Sequence, residues 1–123
     1  MILIDTSVWI DHLRKGNRAL AHLLNNNQVL IHPFVIGEIA CGTLADRDEV
    51  LARLKDLPAL PKADESEALY CIERHQLMGL GLGYIDVHLL AATLLAPPTR
   101  LWTQDNRLKA AAKKMNFAYQ AQA

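Results

Sequence analysis

The ten residues MILIDTSVWI at the start of the chain constrain its fold more than any other stretch. Ile2, Leu3 and Ile4 form an apolar run too short for a helix and right for a buried strand. Asp5 follows at once, and Thr6 and Ser7 are residue types that cap a new helix, whose pattern runs on to Gly16. α/β proteins bind their ligands at the carboxyl ends of such strands. An ionised carboxylate placed there is partly desolvated and costs free energy unless it meets a cation. Asp5 is therefore a candidate site residue before any other part of the chain is read.

The rest of the chain alternates in the same way. Leu20, Leu23 and Leu24 give a helical apolar face ending in Asn25-Asn26-Asn27, and Val29 to Ile31 make a second short strand. Pro33 suits the first position of a helix that carries Phe34, Ile36, Glu38 and Ile39 towards Gly42. Asp46, Asp48 and Glu49 open another helix with the charge its dipole favours. Pro58 and Pro61 bracket a brief strand at Ala59-Leu60, and a helix is expected from Asp64 towards Met78, stopped by Gly79, Gly81 and Gly83. These glycines follow a helix, not a strand, so they do not read as a phosphate loop. Tyr84 to Ala96 is apolar nearly all round, which predicts a helix buried on most sides. Arg100 to Thr103 reads as a strand, Asp105 opens a last helix, and Phe117 to Gln120 reads as an edge strand. Strands alternating with helices predict a three-layer α/β/α fold around a central parallel sheet, in a single domain spanning 1–123.

Composition excludes more than it selects. Lys plus Arg and Asp plus Glu number 13 each, so attraction of a nucleic acid or a membrane surface has to be local. Cys41 and Cys71 lack C-x-x-C spacing, which fits a reducing, cytoplasmic setting and no zinc site. No apolar stretch is long enough for a membrane span.

Topology brings four acids to one edge of the sheet. Asp5 ends the first strand and Asp105 lies just past the strand that carries Thr103. Glu38 rises in the helix that leaves the second strand. Asp86 sits near the start of the buried helix feeding the last strand, and that helix runs antiparallel to the strand. Asp86 and Asp105 can also be read as favourable charges at helix amino ends; Glu38 and Asp5 have no such explanation. Like charges this close disfavour one another's ionisation unless a cation intervenes. An all-oxygen site selects a hard ion, Mg²⁺ or Mn²⁺, suited to hydrolysis of a phosphodiester. Ser7 and Thr103 are placed to steady the carboxylates through their hydroxyls, or alternatively to serve as helix-cap and strand-end bonds.

Asp5-Thr6-Ser7 after an apolar strand, Glu38 in a helix, Asp86 followed by Leu89-Leu90-Ala91-Ala92, and Leu101-Trp102-Thr103-Gln104-Asp105 together resemble a PIN domain. More narrowly, the chain resembles the VapC ribonuclease toxins of bacterial toxin–antitoxin pairs. The resemblance implies a Mg²⁺-dependent endoribonuclease with an RNA substrate, a homodimer, and a VapB-type antitoxin that binds and inhibits it. By motif position it implies Asp5, Glu38, Asp86 and Asp105 as the acidic site, with Asp5 and Asp86 as direct metal ligands. Many relatives carry another acid two places after the last aspartate; Arg107 stands there instead, which weighs against a second tightly held metal. A solitary PIN RNA-processing nuclease and a catalytically silent PIN-fold binding module are the alternatives. An antitoxin groove is expected on the helices Ser7–Arg14 and Arg18–Asn25, together with Phe34 and Ile36.

The remaining chemistry-bearing residues read as structure. The five histidines show no metal-binding spacing, and His88 faces away from Asp86 two residues earlier. Cys41 reads as a small buried residue, and Trp9 and Trp102 as core or interface packing. Arg14, Lys15 and Arg18, and also Arg107, Lys109, Lys113 and Lys114, form two local basic groups, read as solvated faces or as phosphate contacts.

Overall fold

A computed structural model describes residues 1–121; Gln122 and Ala123, included in the expected domain span, lie outside the described residues. The elements run β1 (Ile2–Ile4), α1 (Thr6–Lys15), α2 (Arg18–Asn25), β2 (Val29–Leu30), α3 (Pro33–Ala40), α4 (Arg47–Lys55), α5 (Glu65–His75), α6 (Tyr84–Leu94), β3 (Arg100–Trp102) and α7 (Asn106–Lys114). The three strands form a parallel sheet in the order β2-β1-β3. Leu3 is paired with Leu30 on one side and with Leu101 on the other. Single parallel bridges extend the sheet at both sides, Ile31 to Ala59 and Leu101 to Ala118. The brief strand expected at Ala59-Leu60 and the edge strand expected over Phe117–Gln120 are thus reduced to one bridge each.

Every residue of β1 is buried, with Leu3 and Ile4 fully so. Successive strand residues point to opposite faces, so burial of all three means that both faces of the sheet are covered. Truncating Leu3 to Ala would cost about 2–5 kcal/mol on that account. α6 is buried from Val87 to Thr93. Its hydroxyl-bearing residue is accommodated because Thr93 Oγ1 donates back to the Leu89 carbonyl at 2.7 Å.

The helix starts follow side-chain chemistry. Asn17 caps α2 by accepting the Leu20 N–H, and Asp64 and Glu67 close a reciprocal capping box on α5. α3 has Pro33 at its first turn and an unexpected cap, His32, whose Nδ1 accepts the Phe34 N–H at 3.0 Å. α5 stops earlier than the glycines suggested. Gln76 takes a left-handed conformation (φ 53°) just after His75, and Gly79 and Gly81, with φ of 74° and 77°, shape the connection to α6 instead.

Candidate acidic active site

Asp5 stands where β1 becomes α1. Its N–H donates to the Trp102 carbonyl at 2.9 Å, so β1 and β3 stay joined up to the acid itself. It occupies the cap position of α1, yet its side chain makes no capping bond. Instead Oδ2 accepts the Thr103 hydroxyl at 2.7 Å and the Ser7 hydroxyl at 2.8 Å. Those hydroxyls in turn accept backbone N–H groups, Thr103 from Asp105 and Ser7 from Gln104, each at 3.0 Å. Both hydroxyl protons are thereby committed to Asp5, which leaves the 3.4 Å approach of Ser7 Oγ to Thr103 Oγ1 without a proton of its own. Asp5 is only 6% exposed and Thr103 only 2%, so these are charge-assisted bonds in a poorly solvated setting.

Each of the other three acids is anchored separately. Glu38, exposed on α3, accepts the Thr6 hydroxyl at 2.7 Å through Oε1. Asp86, in the first turn of α6, accepts the Gly83 N–H at 3.0 Å through Oδ2. Asp105 caps α7, its Oδ1 accepting the N–H groups of Arg107 and Leu108 at 2.9 and 3.0 Å. Burial first, and then the negative fields of Asp5, Asp105 and Glu38, hold the Asp86 carboxyl above its ordinary pKa against the opposing Gly83 N–H. Acids from four separate segments therefore share one electrostatic neighbourhood at the carboxyl edge of the sheet.

This donor set has the chemistry of a hard-cation site: carboxylate oxygens only, mutually repelling, with one acid already pushed towards its neutral form. Among the described residues, no three His, Cys, Asp or Glu side chains are gathered tightly enough to cage an ion as they stand. The individual anchors explain the spacing, since each carboxylate rests on its own hydroxyl or amide donors. Asp5 nonetheless takes both of its hydroxyl bonds on Oδ2, which leaves Oδ1 as its oxygen for a cation.

All six residues singled out in the sequence lie on this edge, and the hydroxyls of Ser7 and Thr103 both bond Asp5. Thr6 was missed because only the packing of α1 against α3 brings it to Glu38. The orientation of Arg107 was also not legible. A Cβ on Gly81 would come 2.8 Å from Arg107 Nη1, so the guanidinium lies directly on the glycine loop that leads to Asp86. Trp9 and Trp102 are buried, at 3% and 6% exposure, whereas Cys41 is exposed and not the buried residue expected. A cleft of about 510 Å³ lies between α1, α2 and α4, lined on its apolar side by Trp9, Leu13, Leu24, Val50, Leu54 and Leu57. The first two helices of the expected groove do form its wall. Phe34 instead lines a different cavity and Ile36 lines neither, while α4 supplies the remaining wall of the cleft.

Comparison with known proteins agrees with this geometry. A family model of the PIN domain matches residues 2–114. The chain is 44% identical over 118 residues to "Ribonuclease VapC32" of Mycobacterium tuberculosis (strain CDC 1551 / Oshkosh), covering 96% of this chain and 95% of that protein. The same identity and coverage hold for the protein of that name from strain ATCC 25618 / H37Rv.

Proposed function

The chain belongs to the PIN-domain family, and from that premise we propose that it is a metal-dependent endoribonuclease, the toxin of a toxin–antitoxin pair. One observation carries the proposal: the Asp86 carboxyl, partly buried, lies within the fields of three other acids drawn from distant parts of the chain, and burial first and then those fields hold it above its ordinary pKa. Such a concentration of negative charge is costly to the fold and has a clear use in holding a divalent cation.

Asp5 and Asp86 would hold Mg²⁺, or Mn²⁺ in its place, with Glu38 and Asp105 completing the acidic field. When bound, the ion supplies Lewis acidity at the phosphate and an acidified water. The chain's own residues do the positioning. Ser7 and Thr103 fix Asp5 by holding Oδ2 from two directions. The Thr6 hydroxyl sets Glu38 in the same way. Arg107, laid over Gly81, presents a guanidinium where a phosphate of the RNA backbone would approach. The test is cleavage of single-stranded RNA by the purified protein with Mg²⁺ or with EDTA, beside Asp5→Asn and Asp86→Asn. Each variant is expected to lose more than about 100-fold, in line with loss of a principal electrostatic group. Activity that survives thorough chelation would overturn the metal mechanism.

The cleft between α1, α2 and α4 suits an amphipathic helix, and we assign it to a VapB-type antitoxin, from which an Arg could reach the acids and neutralise them. Deleting the antitoxin segment that fills the cleft should release RNA cleavage. The exposed Tyr70, Leu94 and Leu95, on α5, α6 and the residue after it, line one shallow apolar surface that fits a homodimer. Light scattering of the wild type and Tyr70→Glu tests this, the variant being expected to run as a monomer. Among the described residues no helix is long and apolar enough to cross a membrane.

A further inference from the structure

Beside the acids lies a second cavity, of about 570 Å³, lined by Phe34, Lys62, Asp64, Glu65, Tyr84 and His88 among others. Its position follows from the sheet. Asp5 and Thr103 lie past the ends of β1 and β3, Phe34 past β2, and Lys62 and Asp64 past the Ala59 bridge that flanks β2. The cavity thus continues the same carboxyl edge, one or two strand spacings (~5–10 Å) from Asp5. The first turns of α6 divide the two: Asp86 serves the acidic side while Tyr84 and His88, at i and i+4, line the cavity.

Its walls are aromatic. Tyr84 and His88 meet edge to face with centroids 4.6 Å apart, His88 and Phe34 at 4.9 Å, and Phe34 and His32 at 5.2 Å. Lys62 Nζ lies 5.3 Å from the centre of the Phe34 ring. Two polar atoms here lack partners. His88 is 3% exposed and its Nδ1 makes no hydrogen bond; His32 is fully buried and its Nε2 makes none. Tyr84, 49% exposed, offers an uncovered ring to this cavity.

We propose that this cavity binds one unpaired nucleobase of the RNA, next along the strand to the cleaved bond. The base stacks on Tyr84 and Phe34 and donates N–H groups to the Asp64 and Glu65 carboxylates at the mouth. This inference rests on the ribonuclease reading given above. The charges decide between a base and a phosphate: Asp64 and Glu65 outnumber Lys62, so the mouth repels phosphate and accepts from exocyclic amines. Adenine, cytosine and guanine carry such amines, and uracil does not.

Two measurements on the full chain decide it. In EDTA, where no cleavage is needed, adenosine, cytidine, guanosine, uridine and inorganic phosphate are titrated while the NMR signals of the His88 and Phe34 rings are followed. Saturable shifts are expected with at least one amino-bearing nucleoside, weaker with uridine and absent with phosphate. Tyr84→Ala should bind that nucleoside at least ~5-fold more weakly, while Tyr84→Phe, which keeps the stacking surface, should bind like wild type. In the second measurement, a randomised single-stranded RNA pool is cleaved with Mg²⁺. Tyr84→Ala should flatten the base preference at a single position flanking the cut, and Tyr84→Phe should restore it. No nucleoside shift, equal shifts with phosphate, or an unchanged base preference in Tyr84→Ala would overturn the subsite. Absence of any cleavage by the wild type would count against the nuclease reading alone, because the nucleoside titration does not depend on it.

Discussion

Replacing Thr103 by Val tests whether the hydroxyl bonds to Asp5 stabilise the site. Val keeps the shape of Thr but removes the hydroxyl that donates to Asp5 Oδ2 at 2.7 Å and accepts the Asp105 N–H. Asp5 is 6% exposed, so water replaces the lost donor poorly. A hydrogen bond to a charged group in such a place contributes about 1.5–3 kcal/mol. For a domain of this size about 1 kcal/mol moves Tm by ~3–5 °C, so the expected drop is about 5–15 °C in EDTA at pH 7. The assay is thermal unfolding of wild type, Thr103→Val, Asp5→Asn and the double variant. Neutralising Asp5 removes the charge assistance, so the Thr103 cost should shrink in the Asp5→Asn background, giving a coupling of about 1–2 kcal/mol. Additive losses, or a Thr103→Val melt within a degree of wild type, would refute the argument that this hydroxyl stabilises an ionised Asp5.

Asp86→Asn should raise Tm by ~2–4 °C at pH 7 without metal, because Asn keeps an acceptor for the Gly83 N–H while the cost of burying the charge, and with it the repulsion from Asp5, Asp105 and Glu38, disappears. The sign with pH follows from the raised carboxyl pKa: wild-type stability falls as pH rises from the unfolded value through the folded one. The advantage of Asn is therefore full above that window and lost below it, which melts between pH 3 and 8 would follow. Mg²⁺ or Mn²⁺ at tenfold its Kd should stabilise the wild type by ~1.4 kcal/mol, and Asp86→Asn much less; differential scanning calorimetry with and without the ion checks both. Arg107→Ala should weaken RNA binding and reduce the slope of log K against log salt by ~0.7, the value of one phosphate contact on a single strand; an unchanged slope places the guanidinium away from the backbone.

Much of this architecture was legible because it depends on local pattern. The run Ile2 to Ile4 before Asp5, the apolar surround of α6 and the Pro33 start of α3 each encode their element within a few residues. Parallel topology then carried Asp5, Glu38, Asp86 and Asp105 to one edge without knowledge of any contact. What the sequence concealed depends on packing. That Thr6, not Ser7, meets Glu38 is set by how α1 lies against α3. His32 as a cap and His88 as a buried ring with a bare nitrogen carry no spacing signal, and Cys41 proved exposed because α3 has already ended there. The glycines near position 80 misled on the end of α5, since a left-handed Gln76 stops that helix without them.

Capping and membership of an acidic site were alternatives in the sequence, and the capping bonds in the structure are compatible with both. Asp105 does cap α7, accepting two N–H groups, and Asp86 does accept the N–H of Gly83. Those bonds are what allow four like charges to face one another in a folded chain. Each capping bond stabilises a carboxylate in place, offsetting part of the repulsion that Asp86 registers. Asp5 is the exception that fits the same logic. It gives up the cap of its own helix and takes its donors from Ser7 and Thr103, so its orientation is set by β3 and α1 together. A cation arriving at this edge would meet acids already oriented by independent anchors, and would need to supply only the attraction that draws them the remaining distance together.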